Sequence, residues 1–252
     1  MRILITNDDG VYSPGIAALA QVATRFGEVR IVAPDVEMSS ASHSITASRP
    51  VTFKRTSLPG LGVDAYRVNG TPGDCVMLGT TLWEKVDVVL SGINIGTNLG
   101  NAVWHSGTLA GAKQAALLGR RGIALSAPAT DKEAPDFEAL KPWVEKVLEL
   151  LLDIPELCLV NVNFPAKAPR GTLWTKQSLR HYDGRVVPAK DPMGRTHYWF
   201  TVVPVEATEE GTDRWAIEQG YVSMMPLALD LTDHAQLEKM KKMEAWRKLK
   251  FA

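Results

Sequence analysis

Two carboxylates, Asp8 and Asp9, follow directly on the run Ile3-Leu4-Ile5-Thr6-Asn7 and are closed by Gly10. Adjacent like charges oppose each other's ionisation unless a cation sits between them, so the pair points to a bound metal ion. Neighbouring side chains on a strand point to opposite faces, and both can reach one ion only where the backbone turns. Gly10 permits that turn. A second segment, Pro34-Asp35-Val36-Glu37-Met38-Ser39-Ser40-Ala41-Ser42-His43-Ser44, is rich in hydroxyls that suit a phosphate or a hard cation. A third, from Ser91 to Asn101, spaces Gly92, Gly96 and Gly100 four apart among asparagines. That spacing is not GxGxxG, and the chain has no GxxxxGKS/T, so neither a dinucleotide fingerprint nor a P-loop is present. Asn94 can still offer a neutral oxygen to a cation. The fourth segment is His105-Ser106-Gly107-Thr108, at the start of a stretch rich in small residues. Ser106 is placed as an N-cap. The N–H groups and dipole behind it form a natural anion site, which Gly107 lets a phosphate approach closely.

These segments need a frame that brings them together. Short apolar runs at Arg2–Thr6, Val29–Ala33, Ala65–Val68, Asp87–Leu90, Gly122–Ser126 and Cys158–Asn163 read as strands. Between them Gly15–Phe26, Asp74–Trp83, Gly107–Leu118 and Phe137–Leu152 carry helical periodicity. Thr46–Lys54 reads as extended. Asp74, behind Gly70-Thr71-Pro72-Gly73, is expected to cap its helix rather than to catalyse. Alternating strands and helices argue for an α/β fold with a mostly parallel sheet covered on both faces. In such sheets ligands bind outside the carboxyl ends of the strands, the edge that would carry Asp8, Ser39 and Asn94.

Lys plus Arg and Asp plus Glu are equal at 28 each, so no basic excess suggests specific nucleic-acid binding. The charged run Lys239–Lys250 is read as a solvated helix face. No apolar window approaches a membrane span, and the first residues do not resemble a signal peptide, so a cytoplasmic location is expected. Cys75 and Cys158 form no CxxC pair and are expected as buried free thiols. His43 and His105 border the expected site. Without HxxH or a His/Cys cluster, zinc is not expected.

The pattern changes after Pro165. Trp174–Ser178, Arg185–Val187 and Tyr198–Val205 read as strands or hairpin arms, and Ala216–Gln219 and Tyr221–Met224 as further extended pieces. A last helix is expected from Thr232-Asp233 to about Leu249, with Leu237, Met240, Met243, Trp246 and Leu249 as an apolar stripe that must pack on something. The expected division is a catalytic core over residues 1–165 and an assembly arm over 166–252.

Asn7-Asp8-Asp9-Gly10, the Ser39…His43-Ser44-Ile45-Thr46 loop, Gly70-Thr71-Pro72…Asp74-Cys75, Ser91-Gly92-Ile93-Asn94-Ile95-Gly96…Asn98 and Ser106-Gly107-Thr108 occur in the order and spacing of the SurE family. The chain resembles that family over its whole length, including Arg214…Gly220-Tyr221-Val222-Ser223…Pro226-Leu227. Ser42 stands where the family usually has Gly, and Gly73 where Ala is usual. The resemblance implies a Rossmann-like three-layer core with a C-terminal hairpin and helix arm swapped between subunits of a dimer or tetramer. It implies hydrolysis of nucleoside 5′- and 3′-monophosphates, and in some members of short polyphosphate. It also implies one divalent ion per subunit, Mg²⁺ or Mn²⁺, on Asp8, Asp9, Ser39 and Asn94. Asn94, Asn98, Ser106, Gly107 and Thr108 would hold the phosphate, and Asp8, Asp9 and Asn94 would serve catalysis. Such an ion polarises a phosphoryl oxygen and lowers the pKa of a bound water, and Asp8 or Asp9 is also available as a base. Two other readings stay open here. Asp8 could attack phosphorus itself to form an aspartyl-phosphate, or the chain could bind nucleotides as a regulator without turnover.

Overall fold

A computed structural model describes residues 1–129, 134–179, 182–204 and 208–243. In chain order the elements begin with β1 (Arg2–Thr6), α1 (Pro14–Ala23), β2 (Glu28–Pro34), β3 (Phe53–Thr56), β4 (Asp64–Val68) and α2 (Pro72–Leu82). They continue with β5 (Val88–Ile95), a 3₁₀ turn (Gly100–Trp104), α3 (Gly107–Leu117), β6 (Arg121–Ala127), α4 (Phe137–Leu152) and β7 (Leu159–Asn163). The last are β8 (Thr172–Trp174), β9 (Tyr182–Lys190), β10 (Thr196–Pro204), α5 (Asp213–Glu218), β11 (Val222–Pro226) and α6 (His234–Lys242).

The main sheet runs β3-β4-β2-β1-β5-β6-β7-β11-β8. Strands β4, β2, β1, β5, β6 and β7 are mutually parallel, as the alternating pattern predicts. Among the described residues β3 on β4 and β11 on β7 are the antiparallel pairs of this sheet, and β9 and β10 form a separate antiparallel pair. Helices α1 and α4 pack together, as do α2 and α3, giving three layers. β1 shows why its run is apolar throughout. Ile3 and Ile5 face the cluster that includes Ile16, Leu19, Val144 and Leu148, while Leu4 faces Val76, Trp83 and Val89 on the other side. All three β1 side chains are fully buried, which is worth about 1.5–3 kcal/mol each. The small residues of α3 serve close packing. A Cβ on Gly111 would lie 2.7 Å from Ser91 Oγ and 2.8 Å from Thr6 Cγ2, so only glycine lets α3 sit this low on β1 and β5.

Local chemistry sets the helix starts. Ser13, Thr71, Ser106 and Asp136 each accept a backbone N–H of the first turn. Thr71 and Asp74 form a full capping box, the role expected of Asp74.

Several expectations change. Within Thr46–Lys54 strand structure begins only at Phe53, because the Asp74 carboxylate accepts the Thr46 N–H and Asn69 accepts the Thr52 N–H in place of a ladder. Ala216–Gln219 is not extended: Thr212 caps α5 there. The tail does not stay outside the core sheet, since β11 pairs with β7 and β8 with β11. Cys75 is buried, but Cys158 lies just before β7 and is exposed. The last helix starts as expected, with Asp233 accepting the Gln236 N–H, but Leu237, Met240 and Met243 stay exposed. Trp246 and Leu249, His181 and Val205 lie outside the described residues. No helix of the described residues is long and apolar enough to cross a membrane.

Candidate active site

β1 is the strand at which the sheet order reverses. The chain leaves it for β2 on one side, and β5, β6 and β7 follow on the other. A crevice opens at the carboxyl end of such a switch strand. Asn7, Asp8 and Asp9 stand at that point. Asn7 closes the turn, its Nδ2 donating to Gly10 O at 3.0 Å and to Ser13 Oγ at 2.7 Å. Gly10 takes φ +97°, a conformation that glycine adopts without strain.

Asp8, Ser39, Asn94, Asn98 and Ser106 line one cavity of about 220 Å³. Asp9 lines a second cavity, of about 520 Å³, which shares Ser39 and Ile95 with the first. Residues from four separate segments thus meet at one sheet edge. The Ser39 loop is held down by Met38 N–H to Asp8 O at 2.7 Å and by Ser42 N–H to His105 O at 3.0 Å. The Ser39 hydroxyl donates to Glu37 Oε1 at 2.6 Å, leaving its lone pairs for a ligand. Asn94 Nδ2 donates to Gly96 O at 2.7 Å, leaving its amide oxygen as the group that could ligate.

Both aspartates are poorly hydrated. Asp8 is 4% exposed, and burial raises its pKa against the lowering effect of hydrogen bonds from Thr108. Asp9 is pushed up to about 6, first by burial and then by the charge of Asp8, partly offset by the Ile95 N–H at 3.2 Å. Glu37 adds to the repulsion at both. Among the described residues no protein cation acts on either carboxylate.

The start of α3 is turned toward Asp8. The Thr108 hydroxyl donates to Asp8 Oδ1 at 2.7 Å and accepts from Asn98 Nδ2 at 3.3 Å. A Cβ on Gly107 would sit 2.8 Å from Asp8 Cβ and 2.9 Å from Oδ2, so the helix backbone lies against this carboxylate. Ser106 caps the helix and faces the cavity, while Thr108 is fully buried behind Asp8. Asn98 is anchored in turn: its N–H reaches Asn163 Oδ1 at 2.8 Å, its carbonyl accepts from Asn161 Nδ2, and its Nδ2 donates to Ser126 Oγ. Asn161, Asn163 and Asp213 are buried supports that the residue patterns did not single out. Asp213 accepts Gly100 N–H and Ser178 N–H, tying the third segment to the tail. Two asparagines in an otherwise apolar strand, Leu159–Asn163, were the available signal.

The arrangement fits a hard divalent ion. The donors are oxygens only, two of them anionic and poorly hydrated. Among the described residues no three His, Cys, Asp or Glu side chains converge, so a shell here must include the neutral oxygens of Ser39 and Asn94. Asn7 Oδ1, one residue before the pair, is buried without a hydrogen-bond partner.

Comparison with known proteins identifies the family. The family described as Survival protein SurE matches residues 3–184. The 5′-nucleotidase SurE 1 of Thermus thermophilus is 47% identical over 94% of this chain and 96% of its own length. The 5′-nucleotidase SurE of Deinococcus radiodurans is 42% identical over 92% of this chain and 88% of its own. The crystal structure of the SurE protein from Aquifex aeolicus superimposes with a TM-score of 0.81 at 37% identity, covering 98% of this chain and 100% of that one. Sequence, fold and the convergence of four motifs on one strand edge lead to one conclusion: the chain belongs to the SurE family.

Proposed function

We propose that this chain is a metal-dependent nucleotidase that releases phosphate from nucleoside monophosphates. The 5′-nucleotides are its main substrates, and 3′-nucleotides and short polyphosphate are further ones. The observation that carries the reading is the meeting of Asp8, Ser39, Asn94 and Ser106 around one cavity, with Asp9 at its border. Asp8, Asp9, Ser39 and Asn94 would hold one Mg²⁺ or Mn²⁺, which when bound polarises a phosphoryl oxygen and acidifies water. The Asn94–Asn98 loop and the Ser106 end of α3 orient the phosphate. Their donors are fixed before the reaction and so stabilise charge growing on its oxygens without reorganisation. Asp9, less enclosed than Asp8, is the carboxylate better placed to take a proton from the attacking water. Asp8 has one oxygen tied to Thr108 and the other against Gly107, which suits a fixed ligand better than a nucleophile.

Phosphate release from AMP with Mn²⁺ or Mg²⁺ tests the reading. Asp8→Asn and Asn94→Ala are expected to abolish turnover with the fold retained, and EDTA to stop the wild type. Full activity in either variant, or activity indifferent to EDTA, would sink it.

Residues 166–252 are proposed to assemble copies of the chain into a dimer or tetramer, exchanging this arm between subunits. The support is exposed apolar surface on β10 and α6: Trp199, Phe200, Leu237 and Met240. Sedimentation as a monomer at micromolar concentration would contradict this.

A further inference from the structure

The two cavities at the carboxyl end of β1 differ in charge, and that difference orients a substrate. The smaller one has Ser106, at the start of α3, and the Gly96–Asn98 loop on its wall. Asp8 shares that wall, and with its charge met by the proposed ion the helix dipole behind Ser106 favours an anion. The larger one is lined by Asp9, Asp35 and Glu37, with Tyr12 and Val36 as large exposed apolar residues and, among the described residues, no basic side chain. Asp35 and Glu37, outside the proposed ion shell, repel a phosphate but accept hydrogen bonds from neutral hydroxyls. Tyr12 is 61% exposed, and its hydroxyl is tied to Thr56 Oγ1 at 2.7 Å, so the ring is held at the rim with a face available for stacking. Asp35 follows β2 directly, on the strand that the chain enters after β1 and α1. In doubly wound folds a carboxylate at the end of that strand is placed to accept a ribose hydroxyl.

We propose that the cavity of about 520 Å³ between Tyr12 and Glu37 is the nucleoside subsite, with the base stacked on Tyr12 and the ribose diol bound by Asp35. This rests on the nucleotidase reading and sharpens it. A free 2′,3′-diol exists only when the phosphate is on the 5′ oxygen, so the subsite favours 5′-nucleotides over 3′-nucleotides. A hydrated cation would have no use for the apolar faces of Tyr12 and Val36.

The test compares kcat/KM ratios within each variant, with Mn²⁺ present. Tyr12→Ala should lower the ratio of AMP to ribose 5-phosphate about ten-fold, the equivalent of one lost base stack. Tyr12→Phe keeps the ring and should retain the ratio. Asp35→Asn should lower the ratio of AMP to 2′-deoxy-AMP about ten-fold, as expected when a charged hydrogen-bond acceptor is neutralised. Tyr12 is exposed and Asp35 half-buried, and circular dichroism checks that each variant folds. Ratios within two-fold of wild type in both variants would overturn the subsite while leaving the nucleotidase reading intact. Trp104→Ala changing the AMP ratio where Tyr12→Ala does not would seat the base in the neighbouring cavity of His43, Trp104 and Lys113 instead, and also overturn it. A wild type that hydrolyses neither AMP nor ribose 5-phosphate would remove both readings together.

Discussion

Replacing Thr108 by valine isolates the contact that orients the buried carboxylate. The side chains are nearly the same shape, and residue 108 is fully buried, so the change removes a hydroxyl without opening a cavity. That hydroxyl donates to Asp8 Oδ1 at 2.7 Å, and Asp8 is 4% exposed, so water cannot replace the bond. A hydrogen bond to a charged group contributes about 1.5–3 kcal/mol. The loss on the other side is small, because Asn98 Nδ2 holds Thr108 only at 3.3 Å and keeps Ser126 at 2.8 Å. The gain from a buried methyl group is below ~1 kcal/mol. The expected net cost is about 2 kcal/mol, or a Tm lower by roughly 4–8 °C for a chain of this size. Urea unfolding of metal-free protein at pH 7.5 measures it, with Thr108→Ser as the partner variant. Serine keeps the hydroxyl and should lose about 1 kcal/mol or less. The bond favours ionised Asp8, so the cost for valine should shrink as the pH is lowered and the carboxyl takes up its proton. A valine variant within 0.5 kcal/mol of wild type, or serine as unstable as valine, would refute the reasoning.

Because burial and Asp8 raise the Asp9 pKa from 3.8 to about 6, the folded metal-free protein binds a proton there that the unfolded chain does not. Its contribution to stability is full below pH 3.8 and is lost as the pH rises through 6, so EDTA-treated wild type should lose Tm relative to Asp9→Asn between pH 4 and 7. A saturating divalent ion should reverse that loss, and parallel melting curves for the two proteins would count against it. Arg121 donates to the carbonyls of Leu151 and Leu152 at the end of α4 and of Ile154 and Leu157 just beyond it. Arg121→Met should therefore cost about 3 kcal/mol in urea unfolding, and Arg121→Lys should recover only part of it, because a point charge cannot match that fork. In thiol titration with a chromogenic disulfide, native protein should show one reactive group, Cys158; burial excludes Cys75 and raises its pKa well above the ordinary value, and two fast thiols would contradict the packing around it.

The order of the core elements, and the sheet edge that gathers the candidate site residues, are legible in the chain alone. Apolar runs such as Ile3-Leu4-Ile5 are continuous because both faces of a parallel sheet are covered. Once the strands are parallel, topology sends the residues at the carboxyl ends of β1, β2 and β5 to the same edge, which groups Asp8, Ser39 and Asn94, although β5 extends past the expected Leu90 to include Asn94 itself. Caps were legible for the same local reason: Ser106, and Thr71 with Asp74, bond to groups three residues away. Contacts between residues far apart in the chain were not legible. Whether the Thr108 hydroxyl faces a ligand or Asp8 depends on how low α3 sits on β1, which Gly111 against Ser91 and Thr6 decides. The tail followed the same rule. Its short segments carry little periodicity, so tertiary pairing fixed β11 against β7, folded 213–218 into α5 and left Cys158 in solvent. The two cavities of the crevice also arose only in three dimensions, where Asp35 and Glu37 come to line the same cavity as Asp9. Local propensity and strand direction act within a few residues and are written in the chain; which side chains meet across a crevice is decided by packing.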